Sequence, residues 1–466
     1  MPKMRNTTFD EIEMGASATL TRTLSETDIE VLALVSGDAN PFHITGENDF
    51  EVPSYAGRTQ GVGAEALVSA ALGTQLPGPG MRIIGKDFRF SGVIAFGDKL
   101  TSTVTATEKR KSDGLVIFDC RCVNQNGDEL VSGTATVSAP TNRISFSEVA
   151  PPQLVLRRGD AFVKLFKACE RINAVVCAVV HPCDKNSLLG PIEAAKRGII
   201  EPVLVVPEDK IFDVAKAEGV DLSPYRIVST PHSHAAGEKA AELARAGEVE
   251  ALMKGSLHTD ELMATIAPSA AGLRTSPRIS HVFVMDVPSY PRMLLITDAA
   301  INIYPELEEK VDIVQNAIDL ARVLDIEQPK GAILSAVETV SPKINSTLEA
   351  AALCKMADRG QITGGILDGP LAFDNAISLE PAKTKHIVSP VAGQADILLV
   401  PDLEAGNMLA KQLSYLAGAE DAGIVLGACV PIVLTSRADT VRSRLASTAV
   451  MALVAHARKT GKYQVG

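Results

Sequence analysis

The apolar pattern of this 466-residue chain changes its period partway along, and this change limits the possible folds more than any other feature. In the first part, apolar and polar residues alternate in three segments, at 100–107, 115–123 and 130–138. Such alternation is typical of half-buried antiparallel strands, and Asn126-Gly127 favours a tight hairpin between the last two. A long apolar segment at 61–72 predicts a buried helix. We therefore expect an α+β domain in which a curved antiparallel sheet wraps one helix.

A second pattern begins after a segment without periodicity. Residues 139–153 gather Pro, Ser and Asn, as inter-domain connections do. Beyond them, buried-strand and helix patterns alternate up to a final helix at 439–459. Repeated strand and helix units predict an α/β fold with a mainly parallel sheet. The sequence therefore predicts a first domain at 1–140, a linker at 141–154 and a second domain at 155–466.

The second domain is large for a single sheet of this kind. A loop-like region at 268–277 favours two subdomains, one of 155–272 plus 428–466 and the other of 273–427. We expect a cleft between the subdomains, because ligands bind preferentially in such clefts.

Composition argues against several classes of function. The 45 Lys and Arg residues against 56 Asp and Glu give a net charge of −11, which argues against a nucleic-acid binder. No charge-free stretch supplies the ~20 apolar residues of a membrane span, and the first residues lack the apolar segment of a secretory signal. We therefore expect a cytoplasmic protein. Its seven cysteines, an odd number, indicate reduced thiols, and Cys120 and Cys122 alternate in a predicted strand as core residues do.

The segment 36–43 (SGDANPFH) places a carboxylate and an imidazole five residues apart across an Asn-Pro turn. Asp38 and His43 could face one small molecule, and two groups of different pKa can act as general acid and base. The alternative is structural: Asp38 caps a helix and His43 is a hydrogen-bonded polar residue.

This segment resembles the signature of the MaoC-like, (R)-specific enoyl-CoA hydratases of the hotdog fold. The resemblance spans about residues 8–140 and continues through Gly61, Ser69, 76–80 (LPGPG) and 85–98 (GKDFRFSGVIAFGD). It implies a hotdog domain that adds water to a trans-2-enoyl-CoA thioester and yields the (R)-3-hydroxyacyl product.

The resemblance also implies roles for individual residues. Asp38 and His43 would hold the attacking water, and the backbone N–H of Gly61 at the head of a helix would polarise the thioester carbonyl. Ser69 matches a position near this catalytic pair. Residues 58–60 lack the Pro and His that are common in the family, which leaves the acyl-chain preference open.

A second candidate site lies near the end of the chain, where a buried-strand pattern at 431–435 is followed by Ser436 and Arg437. These two residues are expected at the carboxyl edge of a parallel sheet, where α/β folds bind ligands. An arginine there can bind phosphate through its planar guanidinium, assisted by helix N–H groups. The alternative is a helix N-cap at Ser436 and a surface arginine.

The surrounding sequence resembles the phosphate acetyl and butyryl transferases, whose fold is like that of isocitrate and isopropylmalate dehydrogenases. The resemblance covers about 155–466 and includes 252–259, 294–305, 366–378 and 395–413. It implies acyl exchange between CoA and inorganic phosphate, with acyl-CoA thioesters and phosphate as substrates. It implies no covalent enzyme intermediate, no metal and no tightly bound cofactor, so catalysis would depend on positioning and charge stabilisation.

The resemblance assigns roles in this half too. Arg437 would bind the phosphoryl or carbonyl oxygens, and Ser436 would donate a hydrogen bond in the transition state. Further candidate substrate contacts, each of which could instead be structural, are Lys254, Ser256, Thr259, Asn302 and Asp439. Additional charge for phosphate could come from the connection between the subdomains, at Arg274 and Arg278.

The thiol base stays open, because Ser443 occupies the position of the family's aspartate. Asp439 is nearer to the strand end and could substitute. His232-x-His234 has the spacing of metal ligands, but no cysteine or carboxylate set completes a site, so we predict no metal.

Both halves would thus act on acyl-CoA thioesters. We predict a bifunctional enzyme, an enoyl-CoA hydratase joined to a phosphate acyltransferase, that forms a homo-oligomer. The alternative is an active hydratase whose second domain only binds CoA or supports assembly, and the serine at position 443 favours that alternative.

Overall fold

The computed structural model of the chain describes residues 3–37, 58–95, 97–147, 160–266, 273, 277–436 and 439–461. Four of the residues considered above lie outside these ranges: Asp38, His43, Arg274 and Arg437. The chain divides into two compact units, Met1–Leu156 and Arg157–Gly466. Their boundary lies close to the end of the predicted linker, 141–154.

The first unit contains one long buried helix and an antiparallel sheet. Its elements are β1 (Lys3–Arg5), β2 (Ser17–Thr23), α1 (Glu26–Ser36), β3 (Arg58–Gln60), α2 (Val62–Thr74), β4 (Arg82–Phe90), β5 (Val93–Ala95), β6 (Lys99–Arg110), β7 (Leu115–Val123), β8 (Glu129–Ser138) and β9 (Ser145–Ser147). Five strands form the main sheet in the order β2-β6-β7-β8-β4, with every neighbouring pair antiparallel.

Helix α2 packs against β2, β6 and β7 and forms the core of this unit. Leu72 of the helix meets Leu100 and Phe118 of the sheet in one cluster of fully buried side chains. The predicted packing of one apolar helix on an antiparallel sheet is therefore present. It follows from the alternating burial of β6 and β7, which turns every second side chain toward the helix.

The hairpin between β7 and β8 contains Asn126-Gly127, and Gly127 has a φ of +87°. That backbone conformation favours glycine. Cys120 and Cys122 are fully buried in β7, and burial raises the pKa of their thiols to about 12 and about 11. These thiols stay protonated and belong to the core, in agreement with the sequence interpretation.

The second unit alternates strands and helices. Its elements are α3 (Asp160–Cys169), β10 (Val175–Val180), α4 (Lys185–Lys196), β11 (Ile200–Val206), α5 (Glu208–Glu218), β12 (Arg226–Ser229), α6 (Ser233–Arg245), β13 (Ala251–Lys254), α7 (Thr259–Ile266), β14 (Ser280–Asp286), β15 (Leu294–Thr297), α8 (Leu307–Val323), β16 (Lys330–Leu334), α9 (Asn345–Asp358), β17 (Ile366–Leu371), α10 (Phe373–Ile377), α11 (Leu379–Thr384), β18 (Ile397–Leu399), α12 (Leu403–Leu416), β19 (Glu420–Leu426), β20 (Ile432–Val433) and α13 (Val441–Thr460). Helices cover the buried strands, as in α/β folds.

The strands of the second unit form one sheet of eleven among the described residues, in the order β12-β11-β10-β13-β20-β19-β14-β15-β18-β16-β17. The five strands from β12 to β20 are parallel and form a first block. The four strands from β15 to β17 are parallel and form a second block. Between them, β19 and β14 each pair antiparallel with both neighbours, so the two blocks run in opposite directions.

One sheet runs through both of the regions predicted as subdomains, although the second domain is large for a single sheet. The strands of 155–272 plus 428–466 make the first block, and those of 273–427 make the rest, but the sheet continues across both. The short β19–β20 pairing joins them through main-chain hydrogen bonds between Ile424–Val425 and Ile432–Val433. The loop-like pattern at 268–277 lies mostly outside the described residues.

Within the described part of the chain, no helix has the length and apolar character to cross a bilayer.

Candidate functional site

A cleft of about 310 Å³ opens beside the centre of the large sheet. Its lining consists of Lys254, His258, Thr259, His281, Phe283, Ala300, Asn407, Lys411, Leu434, Thr435 and Ser436. Lys254 ends β13 and Ser436 follows β20, both in the first block, whereas Ala300 follows β15 of the second. The cleft therefore lies beside the carboxyl ends of β13 and β20, the usual ligand position in open α/β sheets, and the segment after β15 completes it.

Three of the predicted substrate contacts, Lys254, Thr259 and Ser436, line this cleft together. Ser256, Asn302 and Asp439 are described by the structure but are not part of the lining.

The ends of β13 and β20 are tied together by two buried cations. Lys254 is 2% exposed, and its Nζ donates to the carbonyl of Thr435 at 3.1 Å. Arg444 of α13 is 1% exposed; it donates to Thr435 Oγ1 at 2.8 Å and to the carbonyl of Ser436 at 3.0 Å. A longer contact of 3.4 Å reaches the carbonyl of Lys254. Arg444, which the sequence analysis missed, thus fixes the backbone from which Ser436 projects.

The turn after β13 is held by Gly255 and Ser256. A Cβ at Gly255 would lie 2.4 Å from the carbonyl oxygen of Val180, so only glycine fits there. The Ser256 hydroxyl donates to the carbonyl of His181 at 2.8 Å and accepts from the backbone N–H of Cys183 at 3.3 Å. Ser256 therefore couples this turn to the end of β10. Its predicted contact with phosphate stays a prediction.

Asn302 belongs to a compact loop organised by a buried carboxylate. Asp298 is 2% exposed and accepts the backbone N–H groups of Ala300 and Ile301, at 2.9 and 3.0 Å, as well as the side-chain amide of Asn302 at 2.6 Å. Asn302 in turn accepts from Nε of Arg278 at 2.9 Å. The side chain of Asn302 is thus engaged inside the protein, and the loop presents Ala300 to the cleft.

Asp439 closes the turn that carries Ser436. Its Oδ2 accepts the backbone N–H of Ser436 at 2.6 Å. Burial, followed by the nearby Asp421, raises the pKa of Asp439 above its ordinary value. Ser443 lies one turn into α13, where its N–H donates to Thr440 Oγ1 at 3.1 Å as part of the helix cap. Asp439 therefore contacts Ser436 directly, whereas Ser443 takes part in the cap of α13.

His281 is a polar residue of the cleft that the sequence analysis did not select. It is 1% exposed on β14, and its ring contacts the Phe283 ring edge-on with centroids 4.5 Å apart. The Leu434 carbonyl lies near the ring, but neither ring nitrogen meets hydrogen-bond geometry with a described residue. Burial lowers the pKa of His281 to about 4, so the ring is neutral near pH 7.

The charge of the cleft favours anions. Lys254 and Lys411 carry positive charge, and no Asp or Glu belongs to the described lining. Asn407 and Lys411 are one turn apart on α12 and thus share a helix face. The predicted Arg437 would follow Ser436 directly, although it lies outside the described residues.

No metal centre emerges from the described residues, since no group of three or more His, Cys, Asp or Glu side chains could hold an ion. His232 caps α6 by accepting the backbone N–H of Ala235 at 3.2 Å. His234 instead pairs with Glu238 one turn along the helix.

In the first unit, the structure describes Gly61 and Ser69 of the predicted hydratase site. Gly61 precedes α2 and is packed so closely that a Cβ would lie 1.8 Å from the Phe90 ring. Ser69 accepts from Nζ of Lys86 at 2.8 Å, and Lys86 also pairs with Glu65 at 3.0 Å. Asp38 and His43, the predicted acid–base pair of the same site, lie outside the described residues.

Comparisons with known proteins bear on the second unit. Residues 208–452 match the family model described as phosphate acetyl/butaryl transferase. A phosphate acetyltransferase from Rhizobium meliloti is 63% identical over 299 residues, which cover 64% of this chain and 95% of the relative. The crystal structure of a branched-chain phosphotransacylase from Enterococcus faecalis V583 is similar, with a TM-score of 0.55 and 28% identity, over 60% of this chain and 99% of that chain.

A further structure, the unliganded R-hydratase PhaJ1 from Pseudomonas aeruginosa, is 31% identical over 33% of this chain and 99% of its own. Its TM-score of 0.32 is too low to assign a function to the first unit. The family match, by contrast, includes the whole described lining of the cleft, from Lys254 to Ser436. The chain therefore belongs to the phosphate acetyl/butaryl transferase family.

Proposed function

We propose that the second unit transfers an acyl group reversibly between CoA and inorganic phosphate. The observation that carries the proposal is the cationic cleft at the strand ends, in a chain of this family. A phosphate oxygen attacks the thioester carbonyl carbon, a C–O bond forms and the C–S bond breaks. The proton of the attacking phosphate passes to the CoA sulfur, and acyl phosphate and free CoA result. CoA thioesters and phosphate are thus substrates.

In this reaction Lys254 and Arg437 bind phosphate, and Ser436 donates a hydrogen bond to the reacting group. Such contacts catalyse by orienting the reactants and stabilising charge in the transition state. Asp439 is our candidate for the group that exchanges the thiol proton, because its raised pKa makes the carboxylate a better base. Its hydrogen bond from the backbone N–H of Ser436, a residue of the cleft lining, supports this choice.

We further propose that the first unit is a hotdog hydratase that converts trans-2-enoyl-CoA to (R)-3-hydroxyacyl-CoA. Support comes from the sequence string around Asp38 and His43 and from the glycine at the head of a buried helix. A helix N-terminus offers N–H donors and a positive dipole to an enolate oxygen. The close approach of Phe90 explains why residue 61 has no side chain.

A paired assay of the full chain tests both proposals. Crotonyl-CoA hydration is followed by loss of enoyl absorbance, and acyl transfer by phosphate-dependent release of CoA from acetyl-CoA and butyryl-CoA. We expect Asp38→Ala to abolish only hydration and Arg437→Ala to abolish only transfer. Loss of both activities in either variant, with the fold intact by circular dichroism, would contradict independent sites.

A second candidate function is favoured by one observation, the hydroxyl at Ser443 in place of a carboxylate. In this alternative, the second unit binds CoA thioesters but does not convert them, and the chain catalyses only hydration. Absence of acyl phosphate from acetyl-CoA and phosphate, together with retained CoA binding, would establish this candidate.

We also infer a homo-oligomer. Met408, Tyr415 and Leu416 of α12 are large apolar side chains that are 59, 71 and 84% exposed, as residues of a subunit interface are in an isolated chain. Light scattering after size-exclusion chromatography measures the mass of the full chain. A monomer at micromolar concentration would contradict this inference.

A further inference from the structure

Phe283 is an aromatic residue of the cleft that the proposed acyl transfer leaves without a role. It lies on β14 between Val282 and Val284, which are both fully buried. Phe283 itself is only half-buried, and it belongs to the lining of the cleft. Alternate side chains of a strand share a face, so its ring and that of His281 lie on the side of the sheet that meets the cleft. Its ring is therefore accessible to a ligand.

The lining of the cleft contains two kinds of surface. Lys411 and Ser436 offer a positive charge and a hydroxyl, whereas Phe283, Ala300 and Leu434 are apolar. An acyl phosphate combines the same two kinds of group, because its phosphate is charged and its alkyl chain is apolar. An alkyl chain is most stable against apolar side chains, away from water. The largest apolar side chain of the lining is that of Phe283.

The surroundings of Phe283 hold its ring in place. The ring of His281 contacts it edge-on, with centroids 4.5 Å apart. On the neighbouring strands, Phe283 pairs with Gly423 of β19 and with Ile296 of β15, and Ile296 is fully buried. Phe283 also packs against the apolar cluster that contains Ile296 and Leu398. Side chains packed in this way resist displacement, so the ring is a fixed part of the cleft wall.

We propose that the Phe283 ring bounds the space for the acyl chain and so limits the length of the acyl group that is transferred. This rests on the proposed acyl transfer. An acetyl group fits in front of the ring. The two further methylene groups of a butyryl chain must displace the ring or remain in contact with water, and forcing extra methylenes into a packed site is unfavourable. The parent chain therefore prefers acetyl-CoA to butyryl-CoA.

Phe283→Ala in the full chain tests this limit. The measured quantity is kcat/KM for phosphate-dependent CoA release from acetyl-CoA and from butyryl-CoA. We expect the butyryl-to-acetyl ratio to rise at least about tenfold, because one methylene group in an apolar pocket changes discrimination by about 10- to 200-fold. The KM for phosphate should change less than about threefold, because the cationic side chains are retained.

Phe283→Leu preserves more of the packing and is the second variant, in case the alanine variant does not fold. Its butyryl-to-acetyl ratio should lie between those of the parent and of Phe283→Ala. Phe166→Ala is the matched control: Phe166 is a half-buried aromatic residue of α3 that contacts the guanidinium of Arg197 and lies outside the cleft lining. This control should lower the melting temperature and leave the ratio within about threefold of the parent value.

The inference is overturned if the parent uses butyryl-CoA as efficiently as acetyl-CoA. It is also overturned if the folded Phe283 variants keep the parent ratio within about threefold, or if Phe166→Ala raises the ratio as much as they do. A parent chain that releases no CoA from either thioester in the presence of phosphate would instead refute the proposed function itself.

Discussion

Arg444 offers the sharpest test of how the second site is positioned. The guanidinium is buried and makes two good hydrogen bonds, to Thr435 Oγ1 and to the Ser436 carbonyl, that tie α13 to the end of β20. Arg444→Met removes both bonds and leaves a side chain of suitable length in the same place. The substitution therefore separates the clamp from the packing of the helix.

The expected magnitude follows from these contacts. A hydrogen bond from a charged donor contributes about 1.5–3 kcal/mol, so two of them contribute about 3–6 kcal/mol. Burial of the charge costs several kcal/mol and offsets part of this, and Nε of Arg444 has no described partner. We therefore expect Arg444→Met to lower the free energy of unfolding of the second unit by about 2–4 kcal/mol. We expect kcat for acyl transfer to fall about 10²-fold, since a shift of about 1 Å in a reacting group has that effect.

Urea unfolding followed by circular dichroism measures stability, since the chain has no tryptophan. Arg458→Met is the matched control: Arg458 is a half-buried arginine of α13, and it donates at 2.9 Å to the carbonyl of Ala428, a residue outside the cleft lining. The Arg458→Met variant should be less stable than the parent but keep its kcat for acyl transfer within about threefold. If Arg444→Met is destabilised as expected and still turns over at the parent rate, the clamp does not position the site.

Three further outcomes follow from the contacts described. Gly255→Ala should lower stability by about 1–3 kcal/mol and reduce acyl transfer, because the added methyl group meets the Val180 carbonyl; urea unfolding and the CoA-release assay measure both. Asp439→Asn should lower kcat about 10²- to 10⁴-fold and remove the acid limb of the pH–rate profile. In the parent that limb, where activity falls as the carboxylate is protonated, should lie above the usual range of Asp because the pKa is raised; an unchanged profile would exclude Asp439 as the base. Cys429 is exposed, so a thiol reagent should modify it first under native conditions, and Cys429→Ser should remove that fast phase.

Sequence reasoning located the elements of the fold well, because their periods are strong. The segments at 115–123 and 130–138 fall within β7 and β8, and the Asn126-Gly127 turn is where the pattern placed it. The sheet of the second unit was harder. Its continuation across both halves depends on β20, which spans only Ile432–Val433, too short to leave a period of its own.

The supporting residues of the cleft were missed for a physical reason. Arg444, Thr448 and Met451 lie at i, i+4 and i+7 of α13 and are all buried, so helical spacing could have placed the arginine on the inner face. His281 lies between buried residues on a strand whose two faces are both covered, so alternation could not show which face meets a cleft. The role of a buried polar residue depends on the groups that contact it, and those groups come from distant parts of the chain.

Some polar side chains of the second unit are hydrogen-bonded within the protein. Together they form a frame for the groups that are available to a substrate. Ser256 is engaged with the β10 end, Asn302 with Asp298 and Arg278, and Arg444 with the strand ends. A frame whose polar groups are already occupied cannot reorient easily when charge develops nearby, and electrostatic catalysis depends on that rigidity. Residues that the sequence selected as phosphate contacts can thus matter for turnover through the frame. Substitution of Ser256 or Asn302 should accordingly reduce kcat more than the affinity for phosphate.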